Sequence, residues 1–252
     1  MPHRDVTAVI LAAGKGTRMG SERAKVLHEL SGKPLVGHVL DTCVRVGVGA
    51  TVVVVGWQRE QVEATVAPWH ARCVLQDRQL GTGHAVLCAE PAVATATTLV
   101  LCGDCPLVPA ELLDRLLSTH ARTGAACTAL AARMADPARY GRMIVGADGR
   151  LARIVEYKDA TDEERAVNLI NSGIYAFNSA DLFAALKQVR PNNAQGEYYL
   201  TDVVGIFVRA SKPVELVVTD DAPSVMGINT PQELAEADRQ YVERVRIAAA
   251  KG

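Results

Sequence analysis

The feature that most restricts the fold of this chain is a set of short, continuously apolar runs: residues 6–11 (VTAVIL), 51–55 (TVVVV), 72–76 (RCVLQ) and 98–102 (TLVLC). A strand with one wet face alternates apolar and polar residues. A β-branched run without alternation belongs to a strand covered on both faces. Such strands are parallel and joined by right-handed crossovers. Helical candidates separate them, at about 34–47, 58–66 and 83–90. A further helix over 109–121 has Pro109 at its first turn and an apolar face of Leu112, Leu113, Leu116 and Leu117. The first half therefore predicts an α/β sheet of nucleotide-binding type, flanked by helices.

The pattern changes after about residue 124. GAACTALAAR and RMIVGADGRLARIVEYKD read as strands, the second stretch turning at Ala147-Asp148-Gly149. A strand at 169–177, helices near 180–188 and 197–210, a strand at 214–219 and a last helix from about 231 complete the chain. With no linker-like, low-complexity or repeated tract between these parts, the expectation is one domain over 1–230, followed by a helix over 231–252. It should have two lobes and a cleft between them, the second lobe smaller and strand-rich.

Composition removes other classes. Hydrophobic residues at 49% and charged residues at 22% of 252 residues are those of a folded globule. Twenty-seven basic against 28 acidic residues, a net charge of -1, give no general attraction to nucleic acid or an anionic membrane, so any phosphate site must be local. Apolar runs such as 8–13 and 52–55 are far shorter than the roughly 18 residues of a membrane span. The opening MPHRDVTAVILAAGKGTRMG lacks a secretory h-region, and six cysteines in apolar surroundings suit a reduced compartment; both predict a cytoplasmic protein.

The stretch LAAGKGTRMGSERAKVL, residues 11–27, directly follows the first strand. Gly14, Gly16 and Gly20 favour close backbone approach, and Lys15, Arg18 and Lys25 place three cations in an eleven-residue loop. The spacing is neither GxxxxGK[ST] nor GxGxxG, but its position after strand one makes it a polyphosphate cradle rather than a solvated turn. Asp104 follows the strand at 98–102, at the carboxyl end where ligands bind in open α/β sheets. A carboxylate there suits Mg²⁺, which takes few protein oxygens and completes its shell with phosphate and water. Asp104 in G-D-x-P also fits a turn or cap, as Asn229 before Thr230-Pro231 fits a helix cap. Cys102-x-x-Cys105 lacks the second pair or histidines of a structural zinc site and reads as coincidental thiols. His84 in GTGHA reads as a residue of a helix start, since a sugar phosphate is already largely a dianion at neutral pH and needs no base.

The segment LAAGKGTRM with the following AKVL resembles the signature of sugar-1-phosphate nucleotidylyltransferases. The stretches LQDRQLGTGHA (75–85), LCGDCPLV (101–108), YGRMIV (140–145), IVEYKDAT (154–161), INSGIY (170–175), NNAQGEYYLTDV (192–203) and GIN (227–229) occur in the order found in bacterial N-acetylglucosamine-1-phosphate uridyltransferases. The similarity runs from about residue 6 to 230. It implies a Rossmann-like nucleotidyltransferase fold, with a mixed, mostly parallel sheet and a smaller sugar-binding lobe. It implies uridylyl transfer from UTP to N-acetylglucosamine-1-phosphate, with pyrophosphate released for cell-wall synthesis.

By the same resemblance Arg18, Lys25 and Lys15 are catalytic, and Asp104 and Asn229 hold Mg²⁺. Leu11, Ala12, Ala13 and Gly14 approach the nucleotide through the backbone, with Lys25, Gly103 and Asp104 beside it. Gln76, Gly81 and Thr82 recognise uracil and nearby groups, while Gly141, Glu156, Asn171 and Thr82 hold the amino sugar. Glu156 and Asn171 also fit plain cross-strand hydrogen bonders. Two other readings stay open: a nucleotidylyltransferase for another sugar-1-phosphate, which should lack LGTGHA and QGEYYLTD, and a non-catalytic sugar-nucleotide-binding module, which should have lost Arg18, Lys25 or Asp104. The related bifunctional enzymes carry a C-terminal β-helix that acetylates glucosamine-1-phosphate and forms trimers; without its hexapeptide repeats this chain is expected to be a monomer lacking acetyl transfer.

Overall fold

In the computed structural model, which describes residues 2–249, nine strands form one sheet. Four are parallel, in the order β5 (Arg72–Leu75), β4 (Ala50–Val55), β1 (Val6–Ala12) and β6 (Thr97–Cys102). They are the four apolar runs; β1, β4 and β6 are largely buried because helices lie on both faces, whereas β5, expected to be covered likewise, is the edge strand and has no buried residue. Helix α1 (Leu35–Val46), α2 (Arg59–Val66) and α4 (Ala110–Thr123) enclose one core with Ile10, Val53 and Leu101. Helix α3 (Thr82–Cys88) covers Val9, Val52 and Val54 on the other face.

Beyond β6 the sheet changes direction. Strand β10 (Leu169–Asn178) lies antiparallel between β6 and β7 (Cys127–Arg133), and β11 (Val214–Thr219) pairs in parallel with β7 at the edge. β10 is long enough to serve two partners on one side: past a register shift between Asn171 and Tyr175 it also meets β8 (Arg142–Val145), which forms a hairpin with β9 (Leu151–Val155). This hairpin and the short helix α5 (Asp162–Arg165) make the smaller lobe. Helices α6 (Ser179–Leu186) and α7 (Asp202–Arg209) pack a second core around Tyr175, Phe177 and Phe207. The two-stranded β2 (Glu29–Leu30) and β3 (Lys33–Pro34) stand apart from the main sheet.

Two elements differ from the sequence reading. The expected helix over 197–210 begins only at Asp202. Residues 197–201 stay non-helical because their backbone is taken by the start of α3: Tyr198 N donates to Leu80 O at 2.8 Å and Gly83 N to Tyr198 O at 2.7 Å. α5 carries no apolar periodicity; its signal is the capping box of Thr161 and Glu164, a polar cue at its first turn. The last helix, α8, spans Pro231–Ala249, and residues 250–252 of the expected helix lie outside the described residues. Leu234, Ala237 and Tyr241 of α8 pack on Leu30, Leu35 and Leu107. No helix among the described residues is long and apolar enough to cross a membrane.

Candidate active site

The loop that leaves β1 turns back on itself so that Gly16 meets Lys25. Gly16 has φ 70°, and a Cβ there would lie 2.4 Å from Lys25 Cβ, so only glycine fits. Gly14, by contrast, has nothing within 4 Å of such an atom. The far side of the loop is fastened by Gln58, whose Oε1 accepts from Ala24 N at 2.7 Å. Lys25 is thereby aimed at the end of β6, where its Nζ pairs with Asp104 and donates to Asn229 Oδ1 at 3.0 Å. Arg18 also donates to Asn229 Oδ1, at 2.7 Å. Burial alone would lower the Lys25 pKa, but the adjoining Asp104 carboxylate outweighs it and the pKa is raised; the ammonium stays charged.

The segment before α8 completes this cluster. Ile228 N donates to Asp104 O at 2.9 Å, Asn229 N to Glu233 Oε2 at 2.6 Å, and Asn229 Nδ2 to Gly227 O at 2.8 Å. With its nitrogen so occupied, Asn229 turns its oxygen to the two cations. Gly103 N donates to Leu11 O at 2.9 Å, tying the ends of β6 and β1 together beneath Asp104.

Two cavities meet at this point, both lined by Leu11, Thr82, Cys102 and Asp104. The first, of about 300 Å³, also takes in Ala12, Ala13, Gly14, Lys25, Gln76 and Gly81. Gln76 is buried, its Nε2 donating to Gly81 O at 3.1 Å and lying 3.0 Å from His84 Nδ1. His84 thus belongs to the first turn of α3, as expected, and holds a cavity residue in place. Thr82 Oγ1 accepts from Leu200 N at 3.0 Å, which binds the 197–201 segment over the same helix start.

The second cavity, of about 520 Å³, is walled by Gly141, Glu156 and Asn171 together with Arg18 and Asn229. Asn171 Oδ1 accepts from Tyr175 Oη at 2.7 Å and from Gly173 N at 3.1 Å, leaving its NH₂ end for a ligand. Glu156 Oε1 accepts from Thr201 Oγ1 at 3.2 Å. Burial raises the Glu156 pKa, the Thr201 hydroxyl opposes this, and Asp159, Asp202 and Glu197 add to the rise. One wall thus offers an amide donor and the other a carboxylate acceptor, spaced around Gly141, where a Cβ would come 3.3 Å from Glu156 Oε2.

Among the expected site residues Gly103 lines neither cavity and acts through its backbone beneath Asp104, and Lys15 stands aside. Its Nζ lies 4.3 Å over the Trp57 ring and 4.0 Å from Glu22, and it lines neither cavity. The sequence reading missed Tyr175, Thr201 and Glu233, which line the second cavity and hydrogen-bond Asn171, Glu156 and Asn229 in turn. Tyr175 and Thr201 lie within INSGIY and QGEYYLTD, but nothing in the spelling of those segments separates a supporting hydroxyl from a buried one.

Comparison with known proteins identifies the family and the fold. Residues 8–200 match the model of the MobA-like NTP transferase domain. The chain belongs to this NTP transferase family. Among curated relatives, this NTP transferase is 45% identical over 240 residues to the bifunctional protein GlmU of Shouchella clausii, covering 94% of this chain and 53% of that protein. It is 46% identical over 243 residues to the GlmU of Pelotomaculum thermopropionicum, with coverage of 96% and 53%. The chain therefore spans about half the length of these relatives. A crystal structure of a UDP-glucose pyrophosphorylase complexed with UDP-glucose superposes with a TM-score of 0.76 at 17% identity, covering 97% of this chain and all of that one. That likeness establishes the Rossmann-like nucleotidyltransferase fold, with its mixed, mostly parallel sheet.

Proposed function

We propose that this NTP transferase joins UTP to N-acetylglucosamine-1-phosphate, forming UDP-N-acetylglucosamine and pyrophosphate. The observation that carries the reading is the convergence of Arg18, Lys25, Asp104 and Asn229 where the two cavities meet. One cavity takes the nucleotide and the other the sugar, so the reacting phosphates fall at their junction. The 45–46% identity to GlmU proteins and the motifs LGTGHA and NNAQGEYYLTD support the uridine and amino-sugar assignments.

An oxygen of the sugar phosphate attacks the α-phosphorus in line with the departing pyrophosphate. Bringing two anions together is the main barrier, and the chain's work is positioning and charge compensation. Lys25 holds the phosphates about the reacting centre. Arg18 takes the β and γ phosphates and meets the charge that grows on pyrophosphate as the bond breaks. In the second cavity the Asn171 amide donates to the sugar and Glu156 accepts from its hydroxyls. Gln76 and Gly81 sit at the base end of the first cavity.

The site also suits a divalent cation, which we assign as Mg²⁺. Asp104 and Asn229 present oxygen atoms that already share one positive charge, the Lys25 ammonium, and carboxylate and amide oxygens are the hard donors this ion prefers. Bound there, it would neutralise phosphate charge and polarise the α-phosphoryl group. The substrates are small molecules, and the composition favours no nucleic-acid or membrane partner.

Pyrophosphate release measured across nucleoside triphosphates and sugar-1-phosphates, with and without divalent cations, tests this reading. Release should require UTP, N-acetylglucosamine-1-phosphate and the cation together. Preference for another pair would replace the substrate assignment, and full activity in excess chelator would remove the metal.

A further inference from the structure

Cys102 and Cys105, which the sequence leaves as coincidental thiols, lie on either side of Asp104 in a tight turn closed by Cys105 N donating to Cys102 O at 3.2 Å. The turn folds the three side chains together: Cys102 Sγ, Cys105 Sγ and an Asp104 carboxylate oxygen lie within 4.8 Å of one another. The zinc half-site spacing lacked a second pair of ligands; the structure supplies the missing donor from inside the motif. Tetrahedral Zn²⁺, with bonds of about 2.3 Å to sulfur and about 2.0 Å to oxygen, needs donors about 3.5–3.8 Å apart. Movements of about 1 Å achieve that spacing. Cys102 lines both cavities, which gives an ion an entry path from solvent.

We propose that Cys102 Sγ, Cys105 Sγ and the Asp104 carboxylate form a site for a thiophilic divalent cation, Zn²⁺ or Cd²⁺, whose binding draws Asp104 away from Lys25. Each thiol loses its proton to solvent as its sulfur binds the metal, and water fills the fourth position. Thiolates are soft donors, so Mg²⁺ does not compete for the sulfurs. Occupancy removes the carboxylate that the phosphate site uses, and thiophilic cations therefore inhibit where Mg²⁺ activates. The inhibitory consequence rests on the uridylyl-transfer reading; the binding site itself does not.

The binding arm uses the whole reduced chain and CdCl₂, read by the near-ultraviolet charge-transfer absorption of cadmium thiolate. About one equivalent should saturate the band, ZnCl₂ should remove it and MgCl₂ should not. Cys105→Ala and Cys102→Ser should each abolish it, with circular dichroism confirming that at least one variant is folded. Cys88→Ala should retain it, although Cys88 Sγ lies 3.9 Å from His84 Nε2 and is the alternative thiol with a nearby ligand. A band absent from the wild type, unchanged in a folded Cys105→Ala or Cys102→Ser chain, or lost in Cys88→Ala overturns the site. In the activity arm, Zn²⁺ at fixed Mg²⁺ should suppress pyrophosphate release, and Cys105→Ala should need about tenfold more Zn²⁺ for the same loss. Equal sensitivity of the two proteins overturns the inhibitory role, whereas absence of pyrophosphate release in any condition counts against the proposed reaction alone.

Discussion

Asn171 gains its direction from Tyr175, a nearly buried neighbour in the wall of the same cavity. Its oxygen is held by Tyr175 Oη and Gly173 N, so the amide cannot rotate without breaking two hydrogen bonds. Tyr175→Phe removes one of them while keeping the buried ring and its packing on Phe177. The KM for N-acetylglucosamine-1-phosphate should rise several-fold, matching roughly 1 kcal/mol for one hydrogen bond, with little change in kcat. A loss confined to kcat would show that Tyr175 serves the reacting phosphates instead. Glu156 illustrates the opposite balance, a group kept at a cost to stability. Because burial raises its pKa, the folded chain holds this proton more tightly than the unfolded one; the stabilising contribution is complete below the usual carboxylate range and is lost as pH rises through the raised value. Glu156→Gln should therefore melt a few degrees higher at neutral pH, with the advantage shrinking in acid, and should bind the sugar phosphate more weakly. A lower melting temperature at neutral pH would refute the assignment. At this scale the sequence carried much: Arg18, Lys25, Asp104 and Asn229 stand in motifs whose chemistry is readable. Lys15 was not readable, because a cation in a glycine-rich loop has the same spelling whether it faces phosphate or lies over the ring of Trp57.

Among the elements, the start of α3 joins the two cavities, and Gly81 is where the chain enters it. At φ 114° Gly81 occupies a conformation that side chains rarely adopt, and a Cβ would come 2.6 Å from Tyr198 O. Gly81→Ala should push the 197–201 segment off the helix, costing about 1–3 kcal/mol, and should raise KM for both substrates, since Thr82 lines both cavities. An effect on UTP alone would mean that the segment and the helix move independently. The same junction explains the misplaced start of α7. Apolar and aromatic residues at 197–201 look helical by periodicity, and only a partner more than a hundred residues away in the sequence draws their backbone into other hydrogen bonds. Three of the parallel strands, β1, β4 and β6, were legible because burial writes itself into composition; β5 carries a similar apolar run at the exposed edge. The direction of β10 was not, for LINSGIYAF reads as a strand either way.

Across the whole molecule β10 also decides how the two halves share stability. It pairs with β7 along one edge and with both β6 of the parallel half and β8 along the other, so neither half has a complete sheet without it. Urea unfolding followed by Trp57 and Trp69 fluorescence, both in the first half, should coincide with far-ultraviolet circular dichroism of the whole. Separate midpoints would show two units that fold apart. Saturating UTP with a divalent cation should move both signals together, by about 2.7 kcal/mol at a hundredfold excess over Kd. The hydrogen bonds from Arg18 and Lys25 to Asn229 span 211 and 204 residues of sequence, the two ends of the fold closing on one side-chain oxygen. On the ribosome the basic loop is made some two hundred residues before its amide partner. Nucleotide cannot rescue a chain whose Asn229 segment is not yet made, and a growing polypeptide must carry the basic loop that far unaided before any substrate can reward it for having folded.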